Sequence, residues 1–334
     1  MAIEAVGDIV KAGTSAWAGG SGSPAGPAAS VQFNSVGVFA GAANVSILTG
    51  DLNLAVSAPT GAPANTVTLF TKTNAGRMML AMLDPSGMSS TLQPFLARNA
   101  IGHWRPQGNS TVVPGVLGYT APTIVGTATA RNVATTNFFT RLRRLGYVSA
   151  ATAAALAETR VAVAQVTIGN GAGLGGFHKI IRFGCSDAAT VAGARQFVGV
   201  SSSTAAATNA EPSTLTNSIG VGHGAADTNL KLYYGGSAAQ AAIDLGVNFP
   251  ANTLSLDAYE LALFAPPGLA TVGYMVTRLN TGHVASGVLT AATAGLQLPL
   301  NTTLLSYHKA WRTNNATALA VALDVVSDYI ETDN

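Results

Sequence analysis

Hydrophobic and polar residues alternate along most of the chain after residue 120, and turn-forming residues interrupt the alternation at short intervals. A period of two is the spacing of side chains that share one face of a β-strand. Many short strands of this kind, joined by small-residue turns, predict an antiparallel β-sandwich or jelly roll. The predicted strands are residues 123–130, 138–147, 161–168, 176–183, 195–201, 218–223, 230–234, 259–264, 272–279, 283–290, 303–311 and 318–330.

A glycine-rich turn precedes one of the clearest of these strands. Gly171, Gly173 and Gly176 have the G-x-G-x-x-G spacing of a dinucleotide-binding loop. That loop needs a following helix whose N-terminal amides meet the pyrophosphate, whereas residues 177–183 alternate as a strand. The glycines are therefore interpreted as a loop that enters the sandwich.

The chain before residue 120 divides into three segments with different patterns. Residues 1–30 end in Gly, Ser, Pro and Ala, which predicts a flexible linker that carries either a docking peptide or a disordered tail. Residues 31–68 contain short strands separated by glycines and form a small β module. Residues 69–119 contain a hairpin and a short helical neck, and residues 120–334 form the sandwich domain.

The neck is predicted from a change of spacing between residues 88 and 99. Apolar residues recur there at helical intervals, although Pro94 interrupts them. The apolar face would be buried either against symmetry mates in a trimer or against the body of the same chain. The residues assigned to this face are Met88, Leu92, Phe95 and Leu96.

Several segments resemble proteins of one family. The segment VQFN, followed by a G-x-F-x-G-x-A-N pattern, resembles a small β module of tailed-bacteriophage appendage proteins, and LFTKTNAGRMMLAMLDPSGMSSTLQP resembles their connecting module. The segments GNGAGLGGFHKIIRFGCSDAATVAGARQFVGVSSS and AWRTNNATALAVALDVVSDYIETDN are similar to the C-terminal domain of many tail-fibre and virion proteins. The resemblance implies a homotrimer in the virion and a concanavalin-like lectin sandwich.

Composition and charge narrow the range of partners. Charged residues make up only 10% of the chain and the net charge is +2, too small to predict binding to nucleic acid or to an acidic membrane. The nearest basic cluster is Arg141, Arg143 and Arg144, for which an ion-pairing strand edge is favoured over phosphate binding. A charge-poor surface suits subunits buried against one another.

Three further observations limit the chemistry and the location of the chain. Cys185 is the only cysteine, which excludes an intrachain disulfide and a cysteine-cluster metal site. The N-terminus has no signal-peptide pattern, and no apolar run reaches the length of a membrane span, so membrane insertion is not predicted. The histidines and acidic residues show no metal-ligand spacing, so no metal or other cofactor is predicted.

Polar and aromatic residues around one predicted hairpin are the best candidates for a ligand site. Carboxylate, amide and aromatic groups together suit sugar hydroxyls and ring faces. The alternative is that the polar residues form the turn and the tyrosines pack in the sandwich. The candidates are His223, Asp227, Asn229, Tyr233 and Tyr234, with Trp104 in a separate His-Trp-Arg cluster that could stack on a sugar or pack at a junction.

The leading hypothesis is a homotrimeric tail fibre or receptor-binding protein. Its N-terminus would dock on other virion proteins and its sandwich would bind a host surface glycan. A purely structural head, neck or collar fibre is the alternative. An enzyme is not expected, because no acidic residues show a recognisable glycosidase arrangement, although a depolymerase could draw on Glu211, Asp227, Asp244, Asp257 and Glu260.

Overall fold

The fold is described from a computed structural model that covers residues 30–35, 38–48, 51–54, 66–83, 89–91, 100–114, 116–170 and 174–332. The chain divides into two compact units. The first contains residues 1–73 and 78–92, and the second contains residues 74–77 and 93–334. Residues 1–29 of the predicted linker (residues 1–30) lie outside the described residues, as do the four neck residues Met88, Leu92, Phe95 and Leu96.

Two three-stranded antiparallel sheets form the N-terminal part. The first contains β1 (Ser30–Ser35), β2 (Val38–Leu48) and β3 (Asp51–Leu54), and the second contains β4 (Thr68–Asn74), β5 (Arg77–Leu83) and β6 (Ser89–Thr91). The predicted hairpin turn is confirmed: Ala75 and Gly76 have φ angles of 51° and 87°, as a tight two-residue turn requires.

The helical prediction for residues 88–99 is wrong where the structure describes the segment. Residues Ser89–Thr91 are a strand that pairs antiparallel with β5, with Ala81 opposite Thr91. Backbone hydrogen bonds to the open edge of a neighbouring strand outweigh a helical spacing that Pro94 already weakens.

The larger unit is a sandwich of two antiparallel sheets. The eight-stranded sheet has the order β19-β18-β17-β12-β21-β10-β9, with β7 also paired to β21. Its strands are β7 (Ala100–Trp104), β9 (Thr127–Ala130), β10 (Leu145–Val148), β12 (Phe177–Cys185), β17 (Tyr259–Ala265), β18 (Thr271–Arg278), β19 (His283–Thr290) and β21 (Ala322–Thr332). Strand β7, which the sequence analysis placed in the neck segment, thus belongs to the sandwich.

The seven-stranded sheet has the order β16-β15-β14-β13-β20-β11-β8. Strand β20 is near its centre, as β21 is in the other sheet, and these two strands follow all other described strands in the sequence. The strands are β8 (Thr123–Val125), β11 (Leu156–Arg160), β13 (Arg195–Ser201), β14 (Ser218–His223), β15 (Lys231–Gly235), β16 (Ile243–Asp244) and β20 (Ser306–Thr313).

One extended core lies between the two sheets. Aliphatic and aromatic side chains from alternate strand positions fill it, including Ile181 and Leu261 from one sheet and Val198, Ile219 and Ala310 from the other. The predicted fold class, a mainly β protein with a C-terminal antiparallel sandwich, is confirmed.

Gly126 divides one predicted strand between the two sheets. The sequence predicted residues 123–130 as a single strand, but β8 pairs with β11 in one sheet and β9 pairs with β10 in the other. Gly126 has a φ angle of 82°, and a Cβ atom there would lie 2.4 Å from the carbonyl oxygen of Val148. Only glycine allows the chain to bend so tightly at this point.

Two strand predictions need correction. Residues 138–147 are not one strand: Phe138–Arg141 form a short helix, α1, and β10 begins only at Leu145. Asn137 and Thr140 close this helix with a reciprocal capping box, a local contact that overrides the alternation. Residues 161–168 were predicted as a strand, but the strand is β11, which ends at Arg160.

The basic cluster predicted at a strand edge is split by the same helix. Arg141 lies in α1, and Arg144 is buried, where its Nε donates a 2.9 Å hydrogen bond to Asp324. Its guanidinium also lies over the ring of Phe139 at 4.7 Å. Arg144 therefore anchors the helix to the sandwich.

Candidate functional site

The outer face of the seven-stranded sheet carries a second, smaller apolar cluster. Strands β13, β15 and β20 place Phe197, Tyr233 and Trp311 there, and the first and last of these rings stack at 6.3 Å with an interplanar angle of 28°. Residues 202–217, here called the covering loop, pack Ala207 and Leu215 on this cluster. A cavity of about 120 Å³ remains between the loop and Trp311, whose buried Nε1–H has no hydrogen-bond partner.

A buried carboxylate fixes one side of the covering loop. Glu158, on β11, accepts hydrogen bonds from Arg160 at 2.8 Å and from the backbone N–H of Ala207 at 3.1 Å, and it pairs with Lys309 at 3.1 Å. Arg160 Nε donates to the carbonyl of Thr204 at 3.0 Å, and Lys309 donates to that of Ala205. Burial lowers the pKa of Lys309, and Glu158 opposes that shift. The loop is thus held through its backbone by three charged side chains.

The other side of the covering loop meets a polar rim, defined here as Arg195, Glu211, Gly224, Asp227 and Lys231. Arg195 Nε donates to Glu211 at 2.7 Å, and the backbone N–H of Gly224 donates to Asp227 at 2.7 Å. Lys231 pairs with Asp227 at 2.5 Å. The side chains of Glu211 and Asp227 are 35% and 18% exposed, so solvent reaches both carboxylates.

Both carboxylates of the rim face one point above Gly224. A Cβ atom at position 224 would lie 2.5 Å from Glu211 Oε2 and 3.1 Å from Asp227 Oδ2. The absence of a side chain at this position therefore leaves room for the two oxygens to converge. The rim presents two anionic acceptors flanked by two cationic donors, a combination that suits a polyhydroxylated ligand.

The neighbours of Asp227 favour its ionised form. Partial burial raises the pKa of Asp227, but hydrogen bonds from Lys231, Tyr233 and the Gly224 N–H outweigh it, so that the pKa is lowered overall. A glycosidase of the usual kind needs one carboxyl group with a raised pKa to act as general acid. Asp227 is the opposite case. Glu211 forms an ion pair with Arg195.

The structure brings together two of the six predicted ligand residues. The Tyr233 hydroxyl donates to Asp227 at 2.7 Å. Asn229 is near in sequence but donates to Asp244 at 3.2 Å. The other three residues lie elsewhere. His223 is buried beside Arg312, with 2.7 Å between its Nε2 and the guanidinium. Tyr234 packs against the core, and Trp104 is buried.

Sequence reasoning did not single out Glu158, Arg195 and Lys309, and it considered Glu211 only as one of several acidic residues. A signal was available in strand β20, where Lys309 and Trp311 share the outer face and alternate with inward-facing residues such as Ala310. The pattern in β20 does not indicate that residues 202–217, from a distant part of the chain, pack on this face.

The core between the sheets contains an ionic cluster in which an aspartate, a histidine and a threonine contact one another in the order seen in a catalytic triad. Asp328 contacts His308 Nδ1 at 2.5 Å, and His308 Nε2 contacts Thr159 Oγ1 at 3.2 Å. Asp328 also pairs with Lys179 at 2.6 Å and accepts from Tyr119 at 2.7 Å. Thr159 is only 1% exposed, so a substrate could not reach its hydroxyl without separation of the sheets. The cluster joins the sheets.

A second cavity, of about 160 Å³, lies at the end of β12 and β21. Arg77 makes a bidentate ion pair with Glu331, at 2.5 and 2.9 Å, and its NH1 lies 3.0 Å from His178 Nδ1. A guanidinium can only donate, so Nδ1 accepts and the proton is on Nε2. Burial, aided by Arg77, lowers the pKa of His178 to about 4.

Within the described ranges, no group of three or more His, Cys, Asp or Glu residues is placed to hold a metal ion. No helix in the same ranges is both long and apolar enough to cross a membrane. Cys185 is a buried free thiol.

Comparison with known proteins gives only distant structural likenesses. No family model matches the chain, and no curated protein matches it. A protein of unknown function from Shewanella oneidensis MR-1 is 13% identical, with a TM-score of 0.42, over 72% of this chain and 90% of that one. Peanut lectin, solved with a 9mer peptide, is 10% identical, with a TM-score of 0.45, over 70% and 97%.

Lectin UEA-II, solved with galactose, is 10% identical, with a TM-score of 0.43, over 70% of this chain and 98% of that one. Two of these three neighbours are lectins.

Proposed function

We propose that the chain is a subunit of a tailed-bacteriophage appendage, a homotrimeric fibre whose sandwich binds a host surface glycan at the polar rim. The observation that carries the binding part is the convergence of Glu211 and Asp227 above Gly224, at a partly exposed site flanked by Arg195 and Lys231. Carboxylates accept hydrogen bonds from sugar hydroxyls, and the two cations can donate to them.

The hydrogen bonds within the rim support this proposal physically. Tyr233 and the Gly224 N–H fix Asp227 from below, and Arg195 fixes Glu211, so a ligand would meet acceptors that are already oriented. A site fixed in advance loses less conformational entropy on binding. Several weak sites on one particle would then give strong adhesion through avidity.

The appendage part of the proposal comes from the sequence. It depends on the resemblance of residues 31–94 and of the sandwich segments to fibre proteins, and on the apolar neck residues, which lie outside the described ranges. The N-terminus would dock on other virion proteins. The mass of the full-length chain in solution tests the homotrimer, and changing Leu92 and Phe95 to Asp together should abolish it.

Binding of the full-length chain to an array of bacterial surface polysaccharides tests the glycan site. Asp227→Asn and Glu211→Gln should each weaken binding by about tenfold or more, because each removes a charged acceptor. Glu260→Gln is the matched control, since Glu260 forms an ion pair with Arg182 on the other sheet, at 2.6 Å. That change should leave binding as it is.

Each alternative has its own result in the same assay. A folded trimer that binds neither polysaccharide nor host cells would identify a purely structural fibre. Release of new reducing ends from a polysaccharide, lost in Asp227→Asn, would identify a depolymerase and overturn the non-enzymatic assignment.

A further inference from the structure

Among the described strands, none pairs with the outer edge of β19 in the eight-stranded sheet. Strand β19 is the outermost strand in the order, it is eight residues long, and its pairing with β18 is continuous from His283 to Thr290, without a bulge. Its sequence, HVASGVLT, contains no Lys, Arg, Asp, Glu or Pro. Proteins usually protect such an edge with charges, proline or bulges, because its outward N–H and C=O groups can pair with another strand.

Two exposed valines lie on the outer side of this edge. Val284 and Val288 are 54% and 62% exposed, whereas Leu289, on the inner side, is buried. Side chains four residues apart on a strand share one face, so the valines extend the outer surface of the sheet to its edge. The edge is thus apolar as well as regular.

We propose that β19 pairs antiparallel with β19 of a second copy of this chain, about a two-fold axis at Ser286. A two-fold axis perpendicular to the sheet keeps the outer faces of both copies on the same side of the joined sheet. Residues that lie directly opposite each other must therefore both have even numbers or both have odd numbers. An axis at Ser286 places Val284 opposite Val288 of the other copy, and the reverse. The two eight-stranded sheets become one continuous sheet.

A second copy fits this edge because the strand is complementary to itself. Neither copy brings an Asp, Glu, Lys or Arg side chain to the contact, and His283 lies opposite Leu289 of the other copy, so no like charges meet. An axis at Gly287 would instead place Val288 opposite Ser286 and Val284 opposite Thr290, which loses both valine pairs. The pairing makes an isologous contact, the commonest kind among soluble oligomers.

This contact is independent of the glycan site, which lies on the other sheet. It is also distinct from the threefold association proposed for the neck, since a two-fold contact would join one trimer to another. A cross-link between β19 strands would therefore appear as a two-chain product under denaturing conditions, whatever the neck does.

Cysteine cross-linking of the full-length chain tests the proposal. Ser286 lies on the axis, so Ser286→Cys should give a disulfide-linked two-chain species as the main product on a non-reducing denaturing gel after mild oxidation, because directly opposite Cα atoms are within disulfide range. Background is low, since the natural Cys185 is buried. Val284→Cys, a matched exposed control on the same strand, should not cross-link alone, whereas Val284→Cys with Val288→Cys should.

A charge placed on the edge supplies the second measurement. Adding Val288→Lys to Ser286→Cys should abolish the cross-link, because the lysine of each copy would then lie opposite Val284 of the other. Circular dichroism of the double variant checks that the fold is retained. A single-chain product from Ser286→Cys would overturn the proposal. Equal cross-linking of Val284→Cys and Ser286→Cys would overturn it too, since that result reports random collision.

Discussion

His308 on the seven-stranded sheet lies 2.5 Å, Nδ1 to Oδ2, from Asp328 on the eight-stranded sheet. Asp328 also holds the ammonium of Lys179, which is fully buried. Burial alone would raise the pKa of Asp328, but Lys179 and His308 together hold it below its usual value. The two sheets are therefore joined by an ionised carboxylate as well as by apolar packing.

Asp328→Asn should destabilise the sandwich by about 3–5 kcal/mol, because it leaves the Lys179 ammonium buried without a counter-charge. Urea unfolding measures the change. Glu260→Gln breaks an ion pair with the half-exposed Arg182 and should cost less than about 1 kcal/mol. Equal losses of unfolding free energy in the two variants would show that the Asp328 cluster stabilises the sandwich no more than a surface ion pair does.

The stability of the sandwich should fall with acidification before its carboxylates titrate. Burial, aided by Arg312, lowers the pKa of His223 to about 3, and burial also lowers those of His178 and His308. Between the unfolded value of 6.5 and these folded values, the unfolded chain binds more protons. The free energy of unfolding should therefore decrease by up to about 1.4 kcal/mol per pH unit for each histidine.

Urea unfolding between about pH 7 and pH 5 measures that slope. His223→Gln keeps a hydrogen-bond acceptor for Arg312 and removes one titrating group. The free energy of unfolding should therefore change less steeply with pH, by the contribution of one histidine. Arg312, Asp227 and the Gly224 carbonyl are the polar groups that act on His223. A stability that does not change over this range would contradict the prediction.

Gly224→Ala should weaken glycan binding without removing any charge. The new methyl group would lie 2.5 Å from Glu211 Oε2, closer than real contacts allow, so the carboxylate must move. We expect a loss of binding similar to that of Asp227→Asn, with a stability change below about 1 kcal/mol because the displaced Glu211 side chain is partly exposed. Unchanged binding would show that the convergence of the two carboxylates is not used.

Trp311→Phe should cost much less stability than Phe197→Ala, although the two rings stack. Deleting the Phe197 ring removes buried contacts and should cost about 3–5 kcal/mol. Replacing Trp311 removes ring contacts but also a buried N–H without a partner, and the second effect offsets part of the first. Urea unfolding of the two variants compares them, and equal losses would indicate that the indole N–H is satisfied by water.

The sequence predicted strands well where apolar residues alternate and turn-forming residues lie on both sides of the strand. The predicted residues for β13, β14 and β19 have the same bounds in the structure. The strand prediction failed at residues 138–147, where the Asn137–Thr140 capping box decides the local structure. It also joined β8 and β9 into one strand, because a bend at one glycine leaves the alternation of apolar and polar residues intact.

The site was predictable only as far as its contacts are local. Asp227 and Tyr233 lie six residues apart on one hairpin and are hydrogen bonded to each other, while their assignment to a ligand site stays a prediction. Glu211 joins them from the covering loop, and its partner Arg195 is on β13, so their contact depends on the tertiary fold. His223 was placed with Asp227 because of its position in the sequence, yet strand alternation turns it to the inner side.

The position of β20 and β21 determines when the sandwich can form during synthesis. Each lies inside its sheet, between strands that precede it in the sequence. Until residues 306–332 have left the ribosome, the seven-stranded sheet stays in two unjoined parts and the eight-stranded sheet in three, with β7 alone. Apolar strands such as β12 and β13 must wait for these partners. A chain shortened by its last thirty residues would lose the middle of both sheets and would be prone to aggregation rather than partly folded.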